Sequence, residues 1–194
     1  MKQHSRYLAV IAVAVAVLQI AFLASMIMSR AAILRDGREI LLEVRPVDPR
    51  DLLRGDYVRV GYNISSVPVE LVKEVTEETG QIINAPLYVR LEPGDDGIWK
   101  PVAARIGAPP PGDPGANQVD IRGTTLQSHL VDVPSVRVAY GIERFYLPEG
   151  EGKPIETDMR ERSFRMAVAV DASGTAQIKA FYDGDNLIYS EPIY

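Results

Sequence analysis

Residues 55–62 read GDYVRVGY, a glycine turn that leads into a strand of alternating apolar side chains. Successive side chains of a β-strand point to opposite faces, so Val58, Val60 and Tyr62 share one face. Asp56 lies on that same face, where a buried carboxylate requires hydrogen-bond donors or a cation. We therefore predict a strand with one buried face, in which Asp56 either satisfies amides of the turn or pairs with a basic side chain.

The same alternation of apolar and polar residues recurs along most of the chain beyond residue 35. Turn segments rich in Gly, Pro, Asp and Asn separate the alternating segments. Several short strands divided by such turns are typical of a mainly β domain, either a single β-sandwich or a partly closed barrel. The predicted strands are 38–47, 57–64, 86–91, 98–106, 119–126, 136–147, 164–170 and 176–182.

Helical periodicity is scarce in this part of the chain, and we predict only one or two short helices, at residues 68–79 and 154–162. Residues 108–116 are rich in Pro and Gly and predict an exposed, extended loop. Residues 183–186 read DGDN, which resembles the start of a calcium-binding loop. The residues that follow supply neither the glycine nor the acidic ligands of such a loop, so we interpret this segment as a hairpin turn.

The N-terminal segment is the most apolar part of the chain. Residues 8–28 contain no charged side chain, and their only polar residues are Gln19 and Ser25. About 21 residues at roughly 1.5 Å per residue span the ~30 Å hydrocarbon core of a bilayer as a helix. The alternative is a cleaved signal peptide, but the nearest candidate cleavage site is preceded by Met28 and Arg30 where small residues are required. We therefore predict an uncleaved membrane anchor.

The charges that flank the anchor set its expected orientation. Lys2 and Arg6 precede the span, and the positive-inside rule keeps such a tail in the cytoplasm. We therefore predict a cytoplasmic tail at residues 1–6, a single transmembrane anchor in the lipid bilayer at residues 7–30, and an extracytoplasmic domain at residues 31–194. In a bacterium this places the protein in the inner (cytoplasmic) membrane.

Composition excludes several classes of function. Three of the 21 basic residues and none of the 26 acidic residues precede Ala31, which leaves the outer domain a net charge of −8. An acidic domain is a poor partner for nucleic acid, because contacts with phosphates need a basic face. The chain has no cysteine, which excludes disulfides and thiolate metal sites, and His129 is the only histidine outside the tail. We expect no metal site, no cofactor and no nucleic-acid partner.

Residues 140–152 read YGIERFYLPEGEG and form a second distinctive stretch. In the predicted strand, Tyr140, Arg144 and Tyr146 share one face, whereas Glu143 points to the other face. Together with two tyrosines of the first stretch, the tyrosines of this stretch either line a binding groove or lie in the core with a solvated hydroxyl. The four tyrosines are Tyr57, Tyr62, Tyr140 and Tyr146.

Residues 55–62 resemble the signature of the GDYXXLXY family, with Val60 at the position of the leucine in the family name, and residues 140–152 are similar to a second region of that family. Together with the apolar N-terminus, the resemblance covers most of the chain. It implies a small membrane-anchored bacterial protein with no assigned activity and a multi-pass membrane protein as its partner. The candidate binding or structural residues are Gly55, Asp56, Tyr57, Tyr62, Tyr140, Glu143, Arg144, Tyr146 and Glu149.

Two structural hypotheses follow from these stretches. If Gly55 turns the chain sharply into the strand, its backbone has a positive φ, which would strain any other residue. If the buried face of the first stretch includes Asp56, its carboxylate needs a cation. Arg144, on the tyrosine-bearing face of the second stretch, is the best candidate. We therefore predict that Asp56 and Arg144 form an ion pair that joins the two stretches.

The residues favour a membrane-anchored binding domain over an enzyme, because no set of nucleophile, base and metal ligands can be assembled from them. The alternative is a hydrolase similar to signal peptidases, whose nucleophile motif also precedes a Gly-Asp pair and a strand. In that alignment Val47 occupies the position of the nucleophilic serine, and valine cannot attack a carbonyl. Ser65, Ser66 and Lys73 lie nearby, but a Ser–Lys dyad needs a buried lysine.

Overall fold

The computed structural model describes residues 2–46, 57–73, 83–127, 133–146 and 162–192. One long helix, α1 (Lys2–Asp36), precedes a domain of short strands, and single 3₁₀ turns at Asn63–Ser65 and Val69–Leu71 flank the third strand. The strands are β1 (Arg38–Pro46), β2 (Tyr57–Tyr62), β3 (Ser66–Pro68), β4 (Val72–Lys73), β5 (Pro86–Pro93), β6 (Trp99–Ile106), β7 (Val119–Thr125), β8 (Ser135–Ala139), β9 (Arg144–Tyr146), β10 (Phe164–Val170), β11 (Ala176–Asp183) and β12 (Asn186–Ser190).

These strands form two six-stranded sheets. The order is β12-β11-β10-β1-β2-β9 in the first sheet and β3-β8-β7-β5-β6-β4 in the second sheet. Paired strands are antiparallel except β4 and β6, which are parallel. In the described ranges neither sheet closes into a barrel, and the predicted mainly β fold after an apolar helix is confirmed.

The alternation predicted for the strands is visible in their burial. Ile40, Leu42 and Val44 of β1 are buried, and the residues between them are more exposed. The buried faces of both sheets form one hydrophobic cluster. β10 differs, because all residues from Met166 to Val170 are buried. This strand lies inside the first sheet and also contacts α1, so it is covered on both faces and is apolar throughout.

The single strand predicted at 136–147 is wrong, because the chain leaves one sheet and enters the other within it. β8 ends at Ala139 in the second sheet, and β9 begins at Arg144 in the first sheet. Between them, Gly141 takes a positive φ of 83°. The apolar alternation continues in sequence through the interruption, so the pattern by itself predicts one continuous strand.

The helix predicted at 68–79 is wrong in the part that the structure describes. Val69–Leu71 is a single 3₁₀ turn, and Val72–Lys73 is strand β4. Residues 74–79 and most of the helix predicted at 154–162 lie outside the described residues. β3 and β4 are the two edge strands of the second sheet, and only the 3₁₀ turn lies between them in sequence. The chain that joins them can span at most roughly 14 Å, so the two edges of this sheet lie close together. The second sheet is therefore strongly curled.

The loop between β6 and β7 is largely exposed, as predicted for residues 108–116, but a buried arginine fixes its course. Arg90 is 8% exposed, and its guanidinium donates two hydrogen bonds of 2.8 Å to the Asp120 carboxylate. The guanidinium also donates to the carbonyl oxygens of Pro110, Pro111 and Gly112. These bonds offset the cost of removing the charge from water and hold the proline-rich segment against the second sheet.

The interpretation of residues 183–186 as a hairpin turn is confirmed. Asp183 pairs with Asn186 across a two-residue loop between β11 and β12. Gly184, the first residue of that loop, has a φ of 56°, a conformation for which glycine is favoured in tight hairpins.

Helix α1 is long and apolar enough to cross a membrane. Within its candidate span, Val10–Asp36, a window of 18 residues has a mean hydropathy of 2.6, and this window is not buried against the rest of the chain. The end of the helix does contact the domain. Leu34 is 4% exposed, and the Arg30 guanidinium lies 3.5 Å from the Glu191 carboxylate. The apolar helix therefore continues directly into the packed structure of the domain.

Gly37 alone separates α1 from β1. Its N–H donates to the carbonyl oxygen of Ile33 at 2.9 Å. A Cβ at this position would overlap that carbonyl oxygen and would lie 3.2 Å from both the backbone N and the backbone O of Val170. The close approach of the helix end to the first sheet therefore requires a glycine here.

We expect Gly37→Ala to lower the free energy of unfolding by about 1–3 kcal/mol, because the backbone must move to accommodate the methyl group. Chemical unfolding of the full chain in detergent measures this loss. Gly115→Ala is the matched control, since a Cβ there meets only the Gln118 side chain, at 3.5 Å or more. Equal stability of the two variants would contradict the close approach at Gly37.

Candidate functional site

Both distinctive stretches of sequence cross from one sheet to the other at the same place. The first passes from β2 in the first sheet, through Asn63–Ser65, to β3 in the second sheet. The second passes from β8 in the second sheet, through residues 140–143, to β9 in the first sheet. We call residues 63–65 the first crossing and residues 140–143 the second crossing. Because β2 pairs with β9 and β3 pairs with β8, the two crossings lie side by side.

Two buried tyrosines join the crossings to each other. The Tyr62 hydroxyl donates to the carbonyl oxygen of Ile142, in the second crossing, at 2.6 Å. The Tyr140 hydroxyl donates to the carbonyl oxygen of Ile64, in the first crossing, at 2.8 Å. Tyr62 is 2% exposed and Tyr140 is 6% exposed. Each tyrosine therefore supplies the donor that a buried carbonyl of the opposite crossing needs.

Burial also fixes the protonation state of both phenols. It raises the pKa of Tyr62 and of Tyr140 well above the ordinary value of 10.0, and the negative charge of Glu143 raises both further. An ionised phenolate has no O–H to donate, so the reciprocal bonds require the protonated form. Both hydroxyls therefore remain donors at neutral pH.

The sequence of the second crossing explains its local shape. Gly141 has a positive φ, which L side chains rarely adopt. The Glu143 carboxylate accepts the N–H of Tyr140 at 2.5 Å and the N–H of Gly141 at 2.9 Å. The backbone carbonyl of Glu143 accepts the N–H of Val60 at 3.0 Å. Glu143 therefore closes the loop of the second crossing and also ties that loop to β2.

An open groove of about 670 Å³ lies beside the crossings. This volume falls within the roughly 300–1,000 Å³ range of ligand-binding clefts. Residues of both stretches line the groove, including Val60 and Gly61 from the first and Gly141 and Glu143 from the second. The candidate functional site is therefore formed where the two stretches meet, and neither stretch forms it alone.

The structure divides the four predicted tyrosines into two pairs. Tyr62 and Tyr140 lie in the core, and their hydroxyls bond to backbone carbonyls in place of solvent. Tyr57 and Tyr146 are opposite each other where β2 pairs with β9. Glu149 lies outside the described residues. The groove is thus supported by buried tyrosines and does not present Tyr62 or Tyr140 to a ligand.

The predicted direction of the Arg144 side chain is wrong. The pattern placed Arg144 on the same buried face as Tyr140, but Arg144 is exposed and Phe145 is buried. The reason is the second crossing, which changes the alternation between β8 and β9. Asp56 and Gly55 lie outside the described residues, so the ion pair of Asp56 with Arg144 and the positive φ of Gly55 stay predictions.

The residues named for the hydrolase interpretation do not form a dyad in the described part of the chain. Ser65 lines the groove, and its hydroxyl oxygen accepts the N–H of Tyr62 at 3.1 Å. Ser66 also lines the groove, whereas Lys73 is exposed on the edge strand β4 and is not among the lining residues. A Ser–Lys dyad requires a lysine buried beside the serine. Val47 lies outside the described residues.

Metal-binding side chains do not gather in the described ranges, which contain no group of three His, Asp or Glu residues able to hold a metal ion. His129 lies outside these ranges. The acidic residues of the hairpin turn pair with arginines: Asp183 with Arg162, and Asp185 with Arg165. Their carboxylates therefore have cationic partners within the protein.

Sequence reasoning missed the backbone carbonyls of Ile64 and Ile142 as partners of the tyrosines. One signal could have indicated the second crossing, since Gly141 interrupts an otherwise regular strand pattern. An isolated glycine in such a pattern often marks an irregularity of the strand or a close backbone approach. The first crossing carries no comparable signal, because Asn63 and Ser65 fit an ordinary strand end as well as they fit a change of sheet.

We expect Tyr62→Phe and Tyr140→Phe each to lower the free energy of unfolding by about 1–3 kcal/mol, because each leaves a buried carbonyl without its donor. Tyr88→Phe is the matched control, since Tyr88 is only partly buried on β5 and no hydrogen bond of its hydroxyl occurs in the described part of the chain. Denaturant unfolding of the four proteins gives the comparison. Losses below about 0.5 kcal/mol at Tyr62 and Tyr140 would contradict the reciprocal bonds.

A family model described as GDYXXLXY protein matches residues 19–181. The matched segment includes the second half of the apolar helix, both crossings and every residue named above as lining the groove. No curated protein and no solved structure matches the chain. Since the family model covers most of the sequence and both of its distinctive stretches, the chain belongs to the GDYXXLXY family.

Proposed function

We propose that this protein is a membrane-anchored binding domain that faces the extracytoplasmic side of the bacterial inner membrane. In this proposal α1 holds the chain in the bilayer, and the groove beside the two crossings binds an extramembrane segment of a multi-pass membrane protein of the same envelope. The observation that carries the proposal is the groove itself, because residues of both family stretches line it.

The position of the groove supports an extramembrane partner segment. β1 has nine residues, and Gly37 alone lies between it and the helix. At about 3.3 Å per residue, its far end lies roughly 26 Å from its start. Val60, which lines the groove, pairs with Pro46 at that far end. The groove therefore lies at the end of β1 that is remote from the anchor, where a loop or domain of the partner can reach it.

The chemistry of the groove supports binding over catalysis. Glu143, the acidic residue in the described lining, uses both carboxylate oxygens to accept backbone N–H groups. Ser65 accepts a backbone N–H as well. These groups stabilise the shape of the groove, and a general acid or base would need a carboxylate directed at a ligand.

A phosphatase reporter is active only outside the cytoplasm. We expect the reporter to be active when it is fused after Tyr194, because the charges before the span keep the N-terminus inside and place the domain outside. The same reporter fused after Arg6, without the span, is the control and should be inactive. Sequencing the N-terminus of the mature chain completes the measurement. A soluble form that begins near Ala31 would contradict the anchor and indicate a signal peptide.

We expect a photo-crosslinking amino acid at Leu126 to capture a discrete membrane-protein partner in native membranes. Leu126 lines the groove and is 51% exposed. Val102 is the matched control, because it is 40% exposed on β6 and does not line the groove. Mass spectrometry of the adduct should identify an extramembrane peptide of a multi-pass protein. Absence of an adduct at Leu126, or the same adducts at both positions, would contradict the proposed function.

A further inference from the structure

We propose that the segment bound in the groove is acidic, with a carboxylate that pairs with Arg137 and aliphatic neighbours that pack beside Leu126 and Val138. This inference rests on the proposed function and specifies the chemistry of the partner. It depends on three features of the groove: its local charge, its apolar side chains and the small residues that line it.

The groove presents a cationic side chain, Arg137, in a domain of net negative charge. The outer domain has a net charge of −8, because it contains all 26 acidic residues and 18 of the 21 basic residues. The described residues that line the groove include Arg137, Arg144 and Glu143. Backbone N–H groups hold the Glu143 carboxylate, and Arg144 interacts with another group of the chain, which leaves Arg137 as a charged lining residue available to a ligand. A negative side chain is therefore attracted to Arg137, whereas the net negative charge of the domain as a whole disfavours it.

Arg137 is the residue most suited to a ligand carboxylate. It is exposed on β8, its backbone N–H is bound by the Gln127 side chain at 2.5 Å, and β8 is paired on both sides by β3 and β7. In the described part of the chain no carboxylate lies within ion-pair distance of its guanidinium. The guanidinium thus stands on a fixed strand with its donors available for bidentate pairing with a carboxylate.

The remaining lining residues favour a chain segment with modest aliphatic side chains. Leu126 is 51% exposed, although large apolar side chains of the domain are mostly buried. Gly61, Ala139 and Gly141 contribute little or no side chain to the groove. A peptide backbone can therefore approach closely, while the exposed leucine offers an apolar surface to a neighbouring aliphatic residue.

The test uses the full-length chain in nanodiscs of uncharged lipid and matched short peptides. The peptides have identical aliphatic flanks and differ only in one central residue, which is Glu, Gln or Lys. We expect the Glu peptide to bind best, with a preference over the Lys peptide on the order of tenfold. Arg137→Glu should reverse this order. Arg122→Glu is the matched control, because Arg122 is exposed on β7 outside the groove, and it should keep the preference.

Equal binding of the three peptides, no binding of the Glu peptide, or an unchanged preference in Arg137→Glu would overturn the inference. These failures are distinguishable from failure of the proposed function. If Leu126 still captures a membrane protein while the peptides show no charge preference, the groove binds a partner that is not acidic. If Leu126 captures nothing, the proposed function itself is wrong.

Discussion

The hydroxyl groups of Tyr62 and Tyr140 hold together the two places where the chain passes between the sheets. The carbonyls of Ile64 and Ile142 lie in the crossings, between strands, and their donors come from side chains. Each tyrosine extends from the end of a strand in one stretch and donates to the crossing of the other stretch. The two stretches therefore depend on each other. The groove follows from this arrangement, because its walls are the strands that meet at the joined crossings.

The second constraint is the junction at Gly37, where the apolar helix becomes the first strand of the domain. The helix end packs on the first sheet through Leu34, and Arg30 pairs with Glu191. Gly37 alone lies between the helix and the first strand, so β1 sets the place of the groove relative to the end of the helix. This arrangement suits the proposed function, in which the protein and its partner lie in the same membrane.

Local sequence patterns predicted the elements well and the connections poorly. The predicted strand 164–170 has the observed bounds. Its continuous apolar character indicates a strand that is covered on both faces, as period-two alternation indicates a strand with one buried face. The crossings escaped prediction because a change of sheet leaves the alternation intact on either side of it. Arg144 was consequently assigned to the wrong face, whereas Ile40, Leu42 and Val44, which lie within one uninterrupted strand, were assigned correctly. The hydrogen bond between Tyr62 and Ile142 joins residues 80 positions apart in the sequence, and no local pattern can indicate such a contact.

The most direct test of the central claim is a spectroscopic titration of the tyrosines, followed by the ultraviolet absorbance of the phenolate. The chain has nine tyrosines, and the account predicts that Tyr62 and Tyr140 stay protonated in the folded protein after exposed phenols have ionised. Because the folded-state pKa is raised, the protonated bonds contribute stability below about pH 10, and this contribution is lost as the pH rises further. Tyr62→Phe and Tyr140→Phe should each reduce by one the number of phenols that resist ionisation until unfolding. If that number is the same in both variants as in the original chain, the reciprocal tyrosine bonds do not hold the crossings together.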